Sequence, residues 1–334
     1  MNKKKKFFYV LALSLLFHTS YFILHTSNGV FAQEISLSIS PPLLEVTIKP
    51  GSSFTQPYEI TNNSQNDIYL KTIVSPFEPA DEEGNIKIVG NEQGAMSSQE
   101  GENFFSLANS NLKLNQTFKL SVGEVKRLLL KIDTPPNSSE KDYYFTFLAE
   151  QSSEGLFIEK GSGGENLIKI GANILLTVSE SMKPKKELIL AKFTAIPKIA
   201  DVFDKVYFEV LAQNIGESFS KPMGNLEIYY FGRQKVKVLE LRPDNVLASF
   251  SRKIKCIGEE IRDMRYEIRN QGDCFFSSFV PGYYKAVVSV SADGEGEMQT
   301  AAVSFWLMPI KLIIILIVLT IIVVGIRRKI KKSL

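Results

Sequence analysis

Histidine is almost absent from this sequence, whose only two histidines, His18 and His25, lie before residue 33. The rest of the chain therefore lacks the imidazole that serves as base in Ser-His-Asp and Cys-His catalysis and as ligand in most zinc sites. Phosphate-binding and dinucleotide-binding glycine motifs are also missing, because the run GSGGEN (161–166) has no following helix and no Lys-Ser/Thr pair and instead predicts a flexible hairpin loop. We therefore expect no enzymatic activity, no cofactor and no metal site.

A basic surface is missing from the central part of the chain. Of 39 lysines and arginines, four precede Glu34 and six follow Glu297, which leaves 29 against 36 acidic residues and a net charge near −7. The formal charge of +3 therefore belongs to the two ends of the chain. Because binding to phosphate backbones needs a basic footprint, we expect no nucleic-acid partner.

Long apolar runs occur only at the two ends. The N-terminal MNKKKKFFYVLALSLLF has the basic and apolar regions of a secretory signal peptide, and Val30-Phe31-Ala32 predicts cleavage between Ala32 and Gln33. The alternative is an uncleaved membrane anchor, because the segment between Phe17 and the predicted cleavage site is long for a signal peptide.

The C-terminal run from Leu307 to Ile326 is apolar enough to cross a hydrocarbon core of about 30 Å. Lys311 near its outer edge can snorkel to the interface. The basic residues between Arg327 and Lys332 then stop transfer and favour a cytoplasmic C-terminus. This pattern predicts a single-pass type I protein of the cell membrane with an extracellular ectodomain.

Between the two ends the dominant period is two, which is typical of β-strands. Short runs such as ISLSIS, LLEVTI, KRLLLKI and YYFTFLA are separated by Pro, Gly, Asn and Ser clusters, and only GEEIRDMRYEI (258–268) could form a short helix. The fold class is therefore all-β, with two tandem Ig-like β-sandwich domains and one C-terminal transmembrane helix. The predicted boundaries are a signal peptide (1–32), a first Ig-like domain (34–179), a linker (180–187), a second Ig-like domain (188–306), a transmembrane helix (307–326) and a basic tail (327–334).

A repeated order of segments supports the division into two domains. KPGSSFTQPYEITNNS (49–64) is followed by LSVGEVKRLLLKIDTPP and DYYFTFLAE, and FDKVYFEVLAQNIGE (203–217) is followed by LRPDNVLASFSRKIK and VPGYYKAVVSVSA. We expect Asn62, Asn63 and Asn214 to end strands, because Asn tolerates the left-handed conformation and bonds its own backbone. Tyr283 or Tyr284 resembles the tyrosine corner of Ig sandwiches, with ligand stacking as the alternative role.

The stretch from Lys49 to Leu70 predicts the opening hairpin of the first sandwich. Its turns would be Pro50-Gly51 and Asn62-Asn63. Period-two alternation then places five side chains in the core, namely Phe54, Tyr58, Ile60, Ile68 and Leu70.

The densest acidic group is FEPADEEGN, which contains Glu78, Asp81, Glu82 and Glu83 beside a proline and a glycine. We interpret it as a solvated loop. A calcium site or a pair of glycosidase carboxylates is the alternative, although the spaced D-x-D-x-D-G pattern of a calcium loop is missing.

Cys256 and Cys274 are the only cysteines, and both would lie outside the cell. An even count in an oxidising compartment predicts a disulfide between them, and two free buried thiols are the alternative. We expect the loop that they close to face the membrane, because it precedes a strand that pairs with the last strand before the helix.

Three Asn-x-Ser/Thr sequons occur, at Asn62, Asn115 and Asn137. They would mark glycosylated loops in a eukaryotic secretory protein and only turns in a bacterial one.

With these segments in place, ISPPLLEVTIKPGSSFTQPYEITNNSQNDIYLKTIV followed by SVGEVKRLLLKIDTPP resembles the bacterial surface family that interacts with WxL-domain proteins. The resemblance implies a bacterial cell-surface protein with an N-terminal Ig-like peptidoglycan-binding domain. Similar Pro-Gly and Asn patterns occur in pilus chaperones, but Leu43 and Leu44 stand where a chaperone offers a basic residue. The resemblance transfers no binding residue, so the ligand-binding residues stay unknown.

Two functional hypotheses follow. The first is a membrane-anchored surface binding protein whose Ig-like ectodomain attaches to cell-wall glycan (peptidoglycan) or to a surface protein. The alternative is an adhesion or protein-assembly module that binds other proteins by β-strand addition without binding glycan.

Overall fold

The computed structural model describes residues 36–89, 101–109, 111–152, 168–257 and 272–333. The predicted signal peptide, the run 161–166 and the segment 258–268 lie outside these residues.

The first sandwich consists of two packed sheets. Sheet A has the strand order β1-β3-β8-β6, and sheet B has the order β2-β10-β9-β4, with β5 and β7 paired to the two ends of β4. The strands are β1 (Leu37–Ser40), β2 (Leu43–Ile48), β3 (Ser53–Asn62), β4 (Ile68–Pro79), β5 (Ile86–Ile88), β6 (Phe105–Leu107, after a short 3-10 helix at Glu102–Phe104), β7 (Phe118–Leu120), β8 (Val125–Asp133), β9 (Lys141–Gln151) and β10 (Lys169–Val178).

The second sandwich has the same plan. Sheet C has the order β11-β13-β16, with β17 also paired to β13, and sheet D has the order β12-β19-β18-β14-β15. The strands are β11 (Leu188–Ile196), β12 (Ile199–Asp201), β13 (Val206–Asn214), β14 (Pro222–Tyr230), β15 (Gln234–Glu240), β16 (Ser251–Ile254), β17 (Cys274–Phe276), β18 (Gly282–Ala292) and β19 (Glu295–Met308).

In both sandwiches the first strand is divided between the two sheets. β1 and β11 pair antiparallel with the strand that follows in their own sheet, whereas β2 and β12 pair parallel with the last strand, β10 or β19. A cis-proline peptide bond separates the two halves, at Ser40–Pro41 and at Ile196–Pro197. The chain therefore contains two copies of one Ig-like topology.

Each sandwich has its own apolar core between its sheets. In the first, Tyr58, Ile60, Ile68 and Leu70 are buried and Phe54 packs against them, which confirms the core residues predicted from period-two alternation. The second core is centred on Phe305, whose ring contacts those of Phe208 and Tyr284. The alternation of apolar and polar residues therefore identifies the buried face of each long strand correctly.

The predicted opening hairpin is wrong. β3 belongs to sheet A, where it pairs with β1 and β8, whereas β4 belongs to sheet B, where it pairs with β9. The Asn62-Asn63 turn therefore carries the chain from one sheet to the other. Alternation shows which face of a strand is buried, but it does not show which strand lies beside it.

Two buried asparagines hold equivalent turns in the two sandwiches. Asn62 Nδ2 donates to the carbonyls of Asn66 (2.8 Å) and Leu120 (3.1 Å), and its Oδ1 accepts from the amide of Ser64 (3.0 Å). Asn214 repeats the pattern with Ser218 (2.9 Å), Val246 (2.8 Å) and Gly216 (2.9 Å). Both side chains have no exposed surface, so the sequon at Asn62 is inaccessible to glycosylation.

These asparagines act through their side chains rather than through a left-handed backbone. Among the described residues, the only asparagine with positive φ is Asn115 (φ 64). The predicted hydrogen bonding of Asn62 and Asn214 is therefore confirmed, and the predicted left-handed conformation is wrong for both.

The tyrosine corner of the second sandwich is Tyr284. Its hydroxyl donates to the carbonyl of Val280 (2.8 Å), and its ring is buried. The first sandwich has an equivalent in Tyr143, whose hydroxyl donates to the carbonyl of Ser139 (3.1 Å), again four residues earlier.

The chain ends in one long helix, α1 (Ile310–Ser333), which follows β19 after Pro309 alone. The segment Ile310–Arg328 is long and apolar enough to cross a membrane. The disulfide between Cys256 and Cys274 is present, as the sequence predicts, and both cysteines are buried. The loop between them lies mostly outside the described residues, so its predicted orientation toward the membrane stays a prediction.

Candidate functional site: the cleft between the two sandwiches

The outer face of sheet B is covered in part by the second sandwich. Phe77 and Leu175 on this face form a small buried apolar cluster with Phe219 from the loop between β13 and β14. Tyr144 and Leu247 pack against the same cluster. The two sandwiches therefore share an apolar contact.

Asp142 organises the polar part of this contact. Its carboxylate accepts hydrogen bonds from Tyr144 Oη (2.7 Å), Thr177 Oγ1 (2.7 Å) and, from the second sandwich, the amide of Phe219 (2.6 Å). Tyr144 Oη in turn accepts from the amide of Ala248 (2.9 Å). Burial raises the pKa of the Tyr144 hydroxyl above its usual range, and the charge of Asp142 adds to the rise.

The acidic loop between β4 and β5 makes a second contact between the sandwiches. Glu83 lies 2.7 Å from Lys253 Nζ and 3.6 Å from Lys255 Nζ, and the carbonyl of Glu82 accepts from the amide of Lys253 (2.8 Å). The hydrogen bond from Lys253 lowers the pKa of the Glu83 carboxyl. Our interpretation of this segment as a simple solvated loop therefore needs correction, because it pairs with lysines of the second sandwich.

The other acidic residues of this loop have structural partners. Asp81 accepts hydrogen bonds from the side-chain amide of Asn85 (2.7 Å) and from the backbone amides of Glu83 (2.9 Å) and Asn85 (3.1 Å). Within the described ranges, no group of three or more His, Cys, Asp and Glu side chains is placed to hold a metal ion.

Between these two contacts lies a cleft of about 380 Å³, a volume within the range of about 300 to 1,000 Å³ that is usual for ligand sites. Its apolar wall combines strand β2 and the start of the β4–β5 hairpin with the loop before β16. The apolar lining residues are Leu43, Phe77, Pro79, Ile86, Leu175, Pro243, Leu247 and Phe250.

Glu45 on β2 links the two sides of the cleft. Its carboxylate accepts from Lys221 Nζ (2.7 Å) and from Asn245 Nδ2 (2.6 Å), both of which belong to the second sandwich. The charges of Glu45 and Lys221 are therefore already paired with each other.

Arg252 at the start of β16 forms the opposite wall. One guanidinium nitrogen donates to the carbonyl of Asn245 (2.7 Å). The guanidinium packs against Gly84, where a Cβ atom would approach Arg252 Cζ to 2.3 Å. Gly84 also has φ +92, so glycine is required there both for its backbone conformation and for space.

Two polar atoms in this wall have unused hydrogen-bonding capacity. Arg252 Nε is a donor and Asn245 Oδ1 is an acceptor, and neither has a partner within the part of the chain that the structure describes, although both are buried. Buried polar atoms are nearly always hydrogen-bonded, so each exception requires an explanation, and a water molecule or a ligand group can supply the partner. A donor and an acceptor beside an apolar wall match the amide and carbonyl groups of a polypeptide.

The sequence did not reveal this site. Leu43, an uncharged residue of β2, lines the cleft. The basic residues of the cleft come from the second sandwich and are Lys221 and Arg252. Along the chain, Lys221 lies 176 residues and Arg252 about 207 residues after Glu45. No local sequence motif surrounds either residue, so only the packing of the two sandwiches brings them together.

Replacing Tyr144 with phenylalanine tests the contact that supports the cleft. The variant leaves the partly buried amide of Ala248 without its acceptor, so the contact should weaken by about 1 kcal/mol. Hydrogen exchange should accelerate in residues 247–250. Tyr143→Phe is the matched control, because that hydroxyl bonds Ser139 within the first sandwich, and unchanged exchange at 247–250 in both variants would contradict the contact.

Comparison with known proteins gives structural likeness only. No family model matches the chain, and no curated protein matches it. Among solved structures, the class 5 fimbriae chaperone CfaA is 10% identical, with a TM-score of 0.38, over 82% of this chain and 100% of its own. The Escherichia coli chaperone DraB is 10% identical, with a TM-score of 0.35, over 82% of this chain and 98% of its own.

A further match is the Salmonella enterica SafA pilin in complex with the SafB chaperone, at 9% identity and a TM-score of 0.36, over 81% of this chain and 98% of that chain. Scores of this size carry no residue-level correspondence, so the site rests on this chain's own contacts. The resemblance to the family that interacts with WxL-domain proteins stays a prediction.

Proposed function

We propose that this chain is a membrane-anchored protein-binding module, without catalytic activity, that takes an extended segment of a partner protein into the cleft between its two sandwiches. The observation that carries the proposal is the pair of unpartnered buried atoms, Arg252 Nε and Asn245 Oδ1, in a cleft with an apolar wall. The donor suits a peptide carbonyl and the acceptor suits a peptide amide.

Strand addition is the mode of binding that the cleft favours. β2 is the outermost strand of sheet B, and within the described residues only β10 pairs with it. Leu43 and Glu45 of this strand line the cleft, and Leu43 is 40% exposed. A partner strand beside β2 would gain main-chain hydrogen bonds from the edge and side-chain contacts from the cleft.

The proposed anchor is α1, with the two sandwiches outside the cell and the basic C-terminus in the cytoplasm. The apolar length of Ile310–Arg328 supports a membrane span, and the basic residues after Ile326 support the orientation. Attachment to peptidoglycan is the competing function. An ectodomain near −7 is not attracted to anionic wall polymers, so glycan binding would depend on hydrogen bonds and aromatic faces.

Photocrosslinking of the full chain in its own cells tests the proposal. A photoreactive benzoylphenylalanine in place of Leu43 should give adducts that a protease degrades and that a muramidase leaves intact. The same residue in place of Val122 is the control, because Val122 is 53% exposed at the other end of the first sandwich, beside Asn62. Muramidase-sensitive adducts at position 43 would favour the glycan function, and equal adducts at both positions would reject the cleft.

Arg252→Gln should reduce the adduct yield at position 43 about tenfold, because it removes a charge-assisted hydrogen bond worth roughly 1.5 to 3 kcal/mol. Arg242→Gln is the matched control. Arg242 donates to Asp244 (2.7 Å) in the loop before the same strand but does not line the cleft, so its replacement should leave the yield unchanged.

A further inference from the structure

The base of α1 is fastened to one end of the second sandwich. The amide of Val202 donates to the carbonyl of Met308 (3.2 Å) at the end of β19, and the amide of Lys311 donates to Asp201 Oδ2 (2.8 Å). Lys311 Nζ also lies 2.7 Å from Asp204 Oδ1. No flexible linker therefore separates the helix from the sandwich. The environment of the first helical turn is also the environment of this end of the sandwich.

Three loops at this end expose large apolar side chains. Phe203 is 64% exposed, Phe231 57%, Phe279 81% and Val280 48%. Such a concentration of exposed phenylalanines at one end of a domain marks an interaction surface.

Each of these loops is tied to the last residues of β19. Phe203 lies between Asp201 and Asp204, which both bond the first turn of the helix. The amide of Phe231 donates to the carbonyl of Tyr283 (2.9 Å), and Tyr283 pairs with Trp306. Phe279 and Val280 come three and two residues before Gly282, which pairs with Leu307. The exposed side chains therefore lie around the point where α1 leaves the sandwich.

Amphipathic aromatic residues lie at the same level on the outer face of sheet D. Tyr283 and Trp306 contact each other edge to face, with ring centroids 5.4 Å apart, and Trp306 is 42% exposed. Trp and Tyr rings are enriched at the boundary between lipid and water, because one part of each ring system is apolar and another part forms hydrogen bonds.

We propose that this end of the second sandwich rests in the headgroup region of the bilayer that α1 crosses, with Phe203, Phe231, Phe279 and Val280 inserted between the lipids. The inference rests on the proposed membrane anchoring. The occupant is a lipid surface rather than a protein, because only Pro309 separates β19 from the apolar helix and the exposed side chains surround that junction. The sandwich is then held upright on the membrane, and the cleft at its other end faces away from the lipid.

Lipid photocrosslinking of the full chain in nanodiscs of phosphatidylethanolamine and phosphatidylglycerol tests this arrangement. Benzoylphenylalanine in place of Phe279 should form lipid adducts that mass spectrometry detects. The control position is Met298, which is 60% exposed near the opposite end of β19. It should form at least tenfold fewer adducts.

Extraction of the full chain from membranes with alkaline carbonate separates the two ways in which the idea can fail. A chain that stays in the membrane but forms no more lipid adducts at position 279 than at 298 overturns the inference and leaves the anchoring intact. A chain that carbonate releases overturns both.

Fluorescence of Trp306, the only tryptophan, provides a second measurement that does not need a photoreactive residue. Brominated lipids should quench it in the unmodified chain, and the triple variant Phe203→Ser, Phe231→Ser and Phe279→Ser should lose at least half of that quenching. Because the three phenylalanines are exposed, this variant should keep its fold. Met223→Ser with Met298→Ser, two exposed residues distant from the helix, is the control and should leave quenching unchanged. Equal quenching in the triple variant and the unmodified chain would overturn the inference.

Discussion

Replacing Asn62 with alanine should lower the free energy of unfolding of the first sandwich by about 3 kcal/mol. The substitution removes the hydrogen bonds that Asn62 makes to the buried carbonyl of Leu120, to the buried amide of Ser64 and to the more exposed carbonyl of Asn66. Each buried polar group that loses its hydrogen bond costs roughly 1 to 3 kcal/mol, so the two buried groups account for the expected loss of about 3 kcal/mol. Thermal unfolding of the full chain should shift by about 10 °C for the transition of the first sandwich.

Asn63→Ala is the matched control for this experiment. Asn63 is the next residue in the chain, but it is exposed, and within the described residues its side chain donates to Ser38 Oγ alone (3.2 Å). Its loss should change the free energy of unfolding by less than about 0.5 kcal/mol. Asn214→Ala should reproduce the effect of Asn62→Ala in the second sandwich, because the two asparagines make the same set of bonds. Equal melting curves for the Asn62 and Asn63 variants would show that the buried bonds contribute little.

Removing the disulfide by replacing Cys256 and Cys274 with alanine should lower the free energy of unfolding of the second sandwich by about 3 kcal/mol, mainly because the unfolded chain gains conformational freedom. The two cysteines are 18 residues apart, and both are buried against the core of the second sandwich, with 3% and 2% of their surface exposed. Thermal unfolding with and without reductant measures the effect. The first sandwich should unfold at the same temperature in both cases, because it contains no cysteine.

The variant that lacks both cysteines is the control for other effects of the reductant. Its melting curve should be the same with and without reductant. Free thiols in native protein that has not been reduced would contradict the disulfide, and so would equal mobility of the unmodified chain on gels with and without reductant.

The candidate site could not be predicted from the sequence, although each residue in it is part of a predicted segment. Arg252 lies in the polar run after LRPDNVLASF, and Glu45 lies in LLEVTI. Nothing in either pattern indicates a partner about 200 residues away. For the acidic loop between β4 and β5, too, the sequence predicts the local structure but not the tertiary contact. Its turn is visible in the Pro and Gly residues, but the pairing of Glu83 with Lys253 depends on where the second sandwich docks.

The sequence by itself determined the all-β class, the buried faces of the long strands, the apolar C-terminal helix and the cysteine pair. These features depend on local periodicity, on the length of an apolar run and on residue counts, all of which are readable along the chain. Only the tertiary structure decided that β3 and β4 lie in different sheets, that the two sandwiches share an interface and that Arg252 and Asn245 meet in a cleft. The reason is physical: alternation specifies the face that a strand buries, whereas strand neighbours and domain contacts depend on how those faces pack in three dimensions.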